Sequence, residues 1–249
     1  MFTTTLGADR IRPLLCGRFG SPYLHFESCE STQRLLTDDL PEGAVAVAEY
    51  QTAGRGRLGR SWNAPVGTAI LCSILLRPPT GASSPQLSLV GGVATAVAVE
   101  RAIGRPSEIK WPNDVMVDGC KVAGVLAELR GTCAVLGIGV NVNQSATDLP
   151  INSRAPATSL FVVDESRRDR ALLLADLLLE LERFYDRWLG NGLDALLPEL
   201  TVRDFLRGRR VTVGGTSGTA VGIAADGRLE IDTAGKRLLV SSGDVSYEP

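Results

Sequence analysis

Val115-Met-Val-Asp-Gly-Cys-Lys-Val122 is the stretch on which the fold class turns. Asp118-Gly119 suits a two-residue turn whose central positions need φ > 0, and an apolar run stands on each side, so the stretch predicts a β-hairpin. A second hairpin follows, with residues 126–129 and 133–142 as strands and Arg130-Gly131 at the turn. Upstream, residues 87–103 are rich in Ala, Val and Leu over a length that predicts a helix packed on a sheet. Before that helix, Val45–Ala48 and residues 68–76 read as buried strands. A helix followed by hairpins is the order of an α+β fold with a mixed, largely antiparallel sheet and packed helices, not of a repeating βαβ array.

Downstream, residues 164–189 predict one long amphipathic helix. Leu173, Leu177, Leu181, Phe184 and Trp188 fall on one stripe, and Gly190 is placed to end it. The character then changes. Residues 211–213, 219–223, 229–232 and 238–241 read as short strands separated by Gly214-Gly215, Asp226-Gly227 and Ala234-Gly235. This is a small all-β module, and the division expected is 1–202 and 203–249.

The 249 residues carry 26 basic and 28 acidic side chains, for a formal charge of −2. That balance excludes a globally basic nucleic-acid binder and leaves room for a local basic patch. Only Lys110, Lys121 and Lys236 are lysines, which makes each conspicuous. The five cysteines, Cys16, Cys29, Cys72, Cys120 and Cys133, form no CxxC pair, and His25 is the single histidine, so a Cys/His zinc site lacks ligands. Free thiols, no signal-peptide pattern in residues 1–10, and an apolar run (87–99) below the ~20 residues of a membrane span predict a cytoplasmic protein.

Gly54-Arg-Gly-Arg-Leu-Gly-Arg60 matches G-x-G-x-x-G, but the dinucleotide fingerprint needs a helix directly after its glycines. Ser61-Trp-Asn-Ala-Pro65 follows instead, a loop leading into a strand. The content of the loop matters more. Its glycines let the backbone approach a ligand, and Arg55, Arg57 and Arg60 offer bidentate donors for phosphate or carboxylate. A lid closing over phosphates is the functional reading, and a solvated basic turn the bland one. Trp62 reads equally as a cap on an adenine or apolar ligand tail and as core.

In Lys110-Trp-Pro-Asn-Asp114, Pro112 keeps Trp111 out of helical geometry. Asn113 and Asp114 either serve a ligand or bond their own turn. Lys121 is either a charge that blunts a strand edge or a clamp on a developing oxyanion or phosphate. Gly124 leaves room for a ligand against its strand. Gly137-Ile-Gly-Val-Asn-Val-Asn143 puts two glycines and two asparagines on a strand, which costs stability unless a ligand lies close.

These four segments, with Ser31-Thr-Gln33 and Glu49-Tyr-Gln51 upstream, resemble the biotin–protein ligases in order and spacing from about Glu27 onward. The resemblance implies a core like that of class II aminoacyl-tRNA synthetases, with a C-terminal SH3-like β-barrel. It implies ATP-dependent formation of biotinyl-5′-AMP, then transfer of biotin to a lysine of a biotin carboxyl carrier domain. By resemblance, Lys121 and Arg57 carry the chemistry. Ser31, Thr32, Gln33, Gln51, Gly54, Arg55, Gly56, Arg57, Lys121, Gly124 and Leu126 meet biotin. Arg55, Arg57, Arg60, Trp62, Asn113, Lys121 and Asn141 meet ATP or the adenylate. Mg²⁺ arrives with ATP, and no metal ligand is assigned.

Thirty residues before Ser31 are too few for a winged helix-turn-helix, so no DNA binding of its own is expected, and no membrane partner either. A monomer or weak homodimer is expected. Gln33 stands where many members carry asparagine, and Leu58 where some carry arginine. Two rival readings remain: a lipoate-type ligase or acyltransferase on the related fold, which lacks the Arg-Gly-Arg loop with Trp-Pro-Asn-Asp, and a non-catalytic biotin-binding regulator.

Overall fold

The computed structural model describes residues 5–151 and 156–248. In chain order the elements are α1 (Ala8–Ile11), β1 (Tyr23–Phe26), β2 (Val45–Ala48), β3 (Ala69–Leu76), α2 (Ser84–Ile103), β4 (Glu108–Lys110), β5 (Asp114–Val117), β6 (Cys120–Arg130) and β7 (Cys133–Asn141). There follow α3 (Leu160–Asp164), α4 (Arg170–Asn191), α5 (Leu197–Val202), β8 (Arg210–Val213), β9 (Thr216–Ile223), β10 (Leu229–Thr233), β11 (Lys236–Val240) and β12 (Val245–Tyr247).

The deciding hairpin forms at its turn residues. Asp118 and Gly119 take φ of 49° and 75° between β5 and β6, the left-handed pair that such a turn requires. The two apolar segments expected on either side of Gly124 are one strand of 11 residues, β6, paired along β7. The large sheet has seven strands in the order β1-β2-β3-β7-β6-β5-β4, with only β1–β2 parallel. Four-residue β1 carries no alternation long enough to announce itself in the sequence.

Period-2 alternation separates the two faces of this sheet. Ile70, Cys72 and Ile74 of β3, Val125 of β6, and Leu136, Ile138 and Val140 of β7 enter the main core with α2 and α4. Gly91 lets α2 lie close to the sheet, since a Cβ there would stand 2.9 Å from Val125 Cγ1. The helix starts earlier than expected. Ser83 Oγ accepts from Gln86 N at 3.4 Å, and Pro85 sits in the first turn, where its missing N–H costs nothing. At 20 residues α2 is long and apolar enough to cross a membrane by length and composition, which the 87–99 run was not; here it is mostly buried inside the protein.

The long helix expected over 164–189 is α4, which starts later than expected; Asp164 is instead the last residue of α3. Glu165, at φ 58°, ends α3, and α4 starts only after Asp169, whose side chain accepts from Ala171 N. Gly190 lies inside α4, and Gly192 ends it. Arg170, in the first turn, is buried and donates to Glu49 Oε2 at 2.6 Å and to Ala69 O at 2.8 Å. Glu49 also accepts from Leu6 N at 2.7 Å. Burial pushes the Glu49 carboxyl up, but the Leu6 N–H, Arg170 and His25 outweigh it and hold it below its ordinary value.

The C-terminal strands form a second sheet in the order β11-β10-β9-β8-β12. The expected small β module is present; β11 and β12 stand at its two ends, so among the described residues it does not close as a barrel. It is stitched to the large sheet. Phe205 N donates to Ile109 O and Ile109 N to Arg203 O, so residues 203–205 run along the outer edge of β4. Trp111 Nε1 donates to Gly227 O at 2.9 Å, and Phe205, Val211, Leu229 and Ile231 share the main core.

Gly91→Val should destabilise the protein by about 1–3 kcal/mol through overpacking against β6 and β7, read as a lower denaturation midpoint at unchanged m-value. Arg170→Met should cost about 3–5 kcal/mol by stranding the buried Glu49 charge. Because the Glu49 pKa is depressed on folding, its contribution is full above the unfolded carboxyl pKa and fades as pH falls through the folded value. The stability gap between wild type and Glu49→Gln should therefore shrink on acidification, as measured by thermal melts across that range.

Candidate active site

The sheet face turned away from α2 and α4 carries little side-chain bulk where β6 and β7 pair. Gly124 stands opposite Gly139, and Leu126 opposite Gly137. With Leu71 and Ser73 of β3 and Asn141 of β7 they line one wall of a cavity of about 560 Å³, within the range of small-ligand sites. Bulk is missing because neighbours need the space. A Cβ at Gly139 would stand 2.5 Å from Trp62 Cε2, one at Gly124 2.9 Å from Trp62 Cζ3, and one at Gly137 2.7 Å from Gln33 Nε2. The indole of Trp62 thus lies across the glycine pair, on the cavity wall and beside the small cluster of Ala64, Ala69 and Leu71. Both sequence readings of Trp62 describe part of its position.

Ser31, Thr32, Gln33 and Gln51 form a buried polar corner of the same cavity. Thr32 donates through N (2.7 Å) and Oγ1 (3.2 Å) to Gln51 Oε1, and Thr32 Oγ1 lies 2.7 Å from Ser73 Oγ. Gln33 Nε2 donates to Leu126 O at 2.8 Å. Gln33 Oε1 and Trp62 Nε1 have no hydrogen-bond partner among the described residues, although both are buried. Buried polar atoms are rarely left this way without a ligand, water or ion to satisfy them.

The arginine loop folds back on itself. Arg55 bridges to Ser61, Gly56 N donates to Arg60 O at 2.7 Å, and Leu58 and Gly59 turn the chain at φ 56° and 74°. Among the residues expected to meet ligand, Gly54 alone is off the cavity wall. A Cβ there would stand 2.2 Å from Trp62 O, so Gly54 works as the close-packed base of the loop. The three arginines, whose mutual repulsion calls for an anion or an acidic partner, each face a polar protein group. Arg55 pairs with Glu128 at 2.8 Å, Arg60 with Asp244, and Arg57 Nη1 donates to Asn113 Oδ1 at 3.4 Å.

Lys121 Nζ lies 2.5 Å from Asp114 Oδ1 and 5.5 Å from the Trp62 ring centroid. Lys110 Nζ lies 5.0 Å from the centroid of Tyr247, and burial holds its pKa below the usual lysine value against the pull of Asp114. Burial likewise lowers Arg57, with Asp114 and Asp244 opposing. The amides of Asn113 and Asn141 are committed to protein, Asn113 Nδ2 to Val125 O (2.9 Å) and Asn141 Nδ2 to Thr158 O (3.0 Å). Both fix the shape of the wall.

Lys110, Asp114 and Asp244 line the cavity without having been assigned a role from sequence. Lys110 left a signal, as one of three lysines inside a flagged motif. Asp244 left none, because nothing in Gly243-Asp244 marks a residue that folds back over a distant cavity. Among the described residues no group of three or more His, Cys, Asp or Glu side chains is arranged to hold a metal. Arg55, Arg57, Arg60, Lys110 and Lys121 are the cations of the wall; the arrangement suits a ligand with an apolar end and a polyanionic one.

Residues 25–144 match the Biotin/lipoate A/B protein ligase family, and residues 207–247 match the Biotin protein ligase C terminal domain. The biotin–[acetyl-CoA-carboxylase] ligase of Mycobacterium tuberculosis is 39% identical over 217 residues, 83% of this chain and 79% of its own. The bifunctional ligase/repressor BirA of Bacillus subtilis is 36% identical over 230 residues, 86% of this chain and 70% of its own. The biotin protein ligase of Aquifex aeolicus in complex with biotin and ATP superposes with a TM-score of 0.82 at 30% identity, covering 90% of this chain and 97% of that one. The first family alone also spans lipoate ligases; the second match and the identities of these relatives lie on the biotin side, and the chain belongs to the biotin protein ligases.

Proposed function

We propose that the protein is an ATP-dependent biotin–protein ligase that activates biotin as biotinyl-5′-AMP and transfers it to a lysine of a biotin carboxyl carrier domain. The observation that carries this reading is one cavity in which a polar corner and the apolar wall of Trp62, Leu71 and Leu126 run into a group of five cations. Ser31, Thr32, Gln33 and Gln51 offer donors and acceptors for the ureido ring, and Gly124 and Leu126 wall the apolar part. Arg55, Gly56 and Arg57 cover the ligand, with Gly54 as the base of that cover. Trp62, Asn113 and Asn141 shape the nucleotide end, where Arg60 reaches the phosphates.

In the first step a biotin carboxylate oxygen attacks the α-phosphorus of MgATP. The bond from that phosphorus to the bridging oxygen breaks, and pyrophosphate leaves with the electron pair. Negative groups converge in this transition state, so preorganised cations lower its energy most. Lys121 and Arg57 are assigned that task. In the second step the carrier's neutral lysine amine attacks the acyl carbon, the bond to the AMP oxygen breaks, and the nitrogen loses its proton. The adenylate is a labile mixed anhydride, and the loop and Trp62 exclude water from it.

The chain divides functionally into residues 1–202, which carry most of the cavity, and residues 203–249, which supply one side of it. Work as a monomer or weak homodimer belongs to the same reading. No described cysteine is disulfide-bonded, in keeping with a cytoplasmic setting.

Incubation with biotin, MgATP and a carrier domain, followed by a streptavidin blot, should show label on the carrier; label with lipoate in place of biotin would sink the reading. Lys121→Ala and Arg57→Ala should each slow biotin-dependent ATP–pyrophosphate exchange by about 10²–10³ without changing the melting temperature. Wild-type exchange in either variant would remove that residue's role. Gly139→Ala should cost about 10²-fold in exchange at near-native stability, because the added methyl displaces the Trp62 ring.

A further inference from the structure

Asp244 belongs to the C-terminal module, yet its carboxylate stands at the cationic end of the cavity, ion-paired with Arg60 of the arginine loop. It also acts electrostatically on Arg57 and Lys110, favouring the charged form of each. A single carboxylate thus addresses three of the five cations that line the cavity. Both partners of the pair are about half exposed, so the pair is easily exchanged for another anion. The loop that holds Arg60 is turned by Leu58 and Gly59 and carries no other ion pair between Arg60 and the large sheet among those observed.

We infer that Asp244 is a built-in competitor for the phosphate end of the site: it occupies Arg60 until the triphosphate displaces it, and it returns when pyrophosphate leaves. This rests on the proposed function only in taking the cationic end as the phosphate end. Its consequence is directional. Once the adenylate has formed, the returning carboxylate opposes pyrophosphate rebinding and ties the loop to the second module over the product. Asp244 is therefore a positioning residue that tunes phosphate affinity through Arg60.

The test is equilibrium binding of inorganic pyrophosphate, followed by calorimetry, to wild type, Asp244→Asn, Arg60→Gln and the double variant. Asp244→Asn should bind pyrophosphate about three- to tenfold more tightly at low ionic strength, with the gain shrinking in high salt. In the Arg60→Gln background the same substitution should give a smaller gain, the part carried through Arg57 and Lys110. Inhibition of adenylate formation by pyrophosphate should strengthen in parallel, with the KM for biotin unmoved. Equal or weaker binding by Asp244→Asn overturns the proposal, as does an equal gain without Arg60. Carrier labelling, scored separately on the same proteins, tells failure of this competition from failure of the ligase reading.

Discussion

The pairing of Gly124 with Gly139 is the constraint around which the molecule is arranged. On one face of β6 and β7, Val125, Leu136, Ile138 and Val140 fill the core; on the other, the same two strands present almost no side chain. Glycine in a strand interior gives up about 0.5–1 kcal/mol relative to alanine. That loss, at positions 124, 137 and 139, is offset by the apolar burial on the opposite face and by the long ladder with β3 and β6. The freed space is taken by the Trp62 indole over Gly124 and Gly139 and by Gln33 over Gly137, so the fold seats two wall residues of the cavity directly against strand backbone.

Electrostatics follows the same plan of preorganisation. Five cations gathered in one cavity would repel one another in an empty site, so the chain supplies Glu128 and Asp114 from the large sheet and Asp244 from the second module. The site is neutralised in part but not filled. Its cations are held near where phosphate charge would lie, and the reorganisation on binding is an exchange of anions instead of the assembly of a new cluster. Burial works against the charge on Lys110 and Arg57, and Asp114 and Asp244 oppose it.

Much of this was legible in the residues. Asp118-Gly119 announced its hairpin because that turn has few chemical solutions, and the glycine and asparagine alternation of 137–141 announced a strand with an unfilled face. The motif residues came together because they lie at the same ends of adjacent strands and on the loops between them. Three things were hidden. The late start of α4 depends on Asp169 as a cap, and no glycine or proline in residues 164–169 marks a break there. The parallel strand β1 is too short to show a period. The part played by Asp244 in the site depends on how the second module docks, which local sequence does not encode.

That docking also has a bearing on assembly. With residues 203–205 hydrogen-bonded along β4, one border of the seven-stranded sheet is already taken by the chain's own backbone. Growth by strand addition is thereby blocked on that side, leaving β1 as the sheet's remaining border. The seam that seats the second module beside the cavity thus closes one edge of the large sheet to pairing with another chain, one structural device serving both the site and the surface.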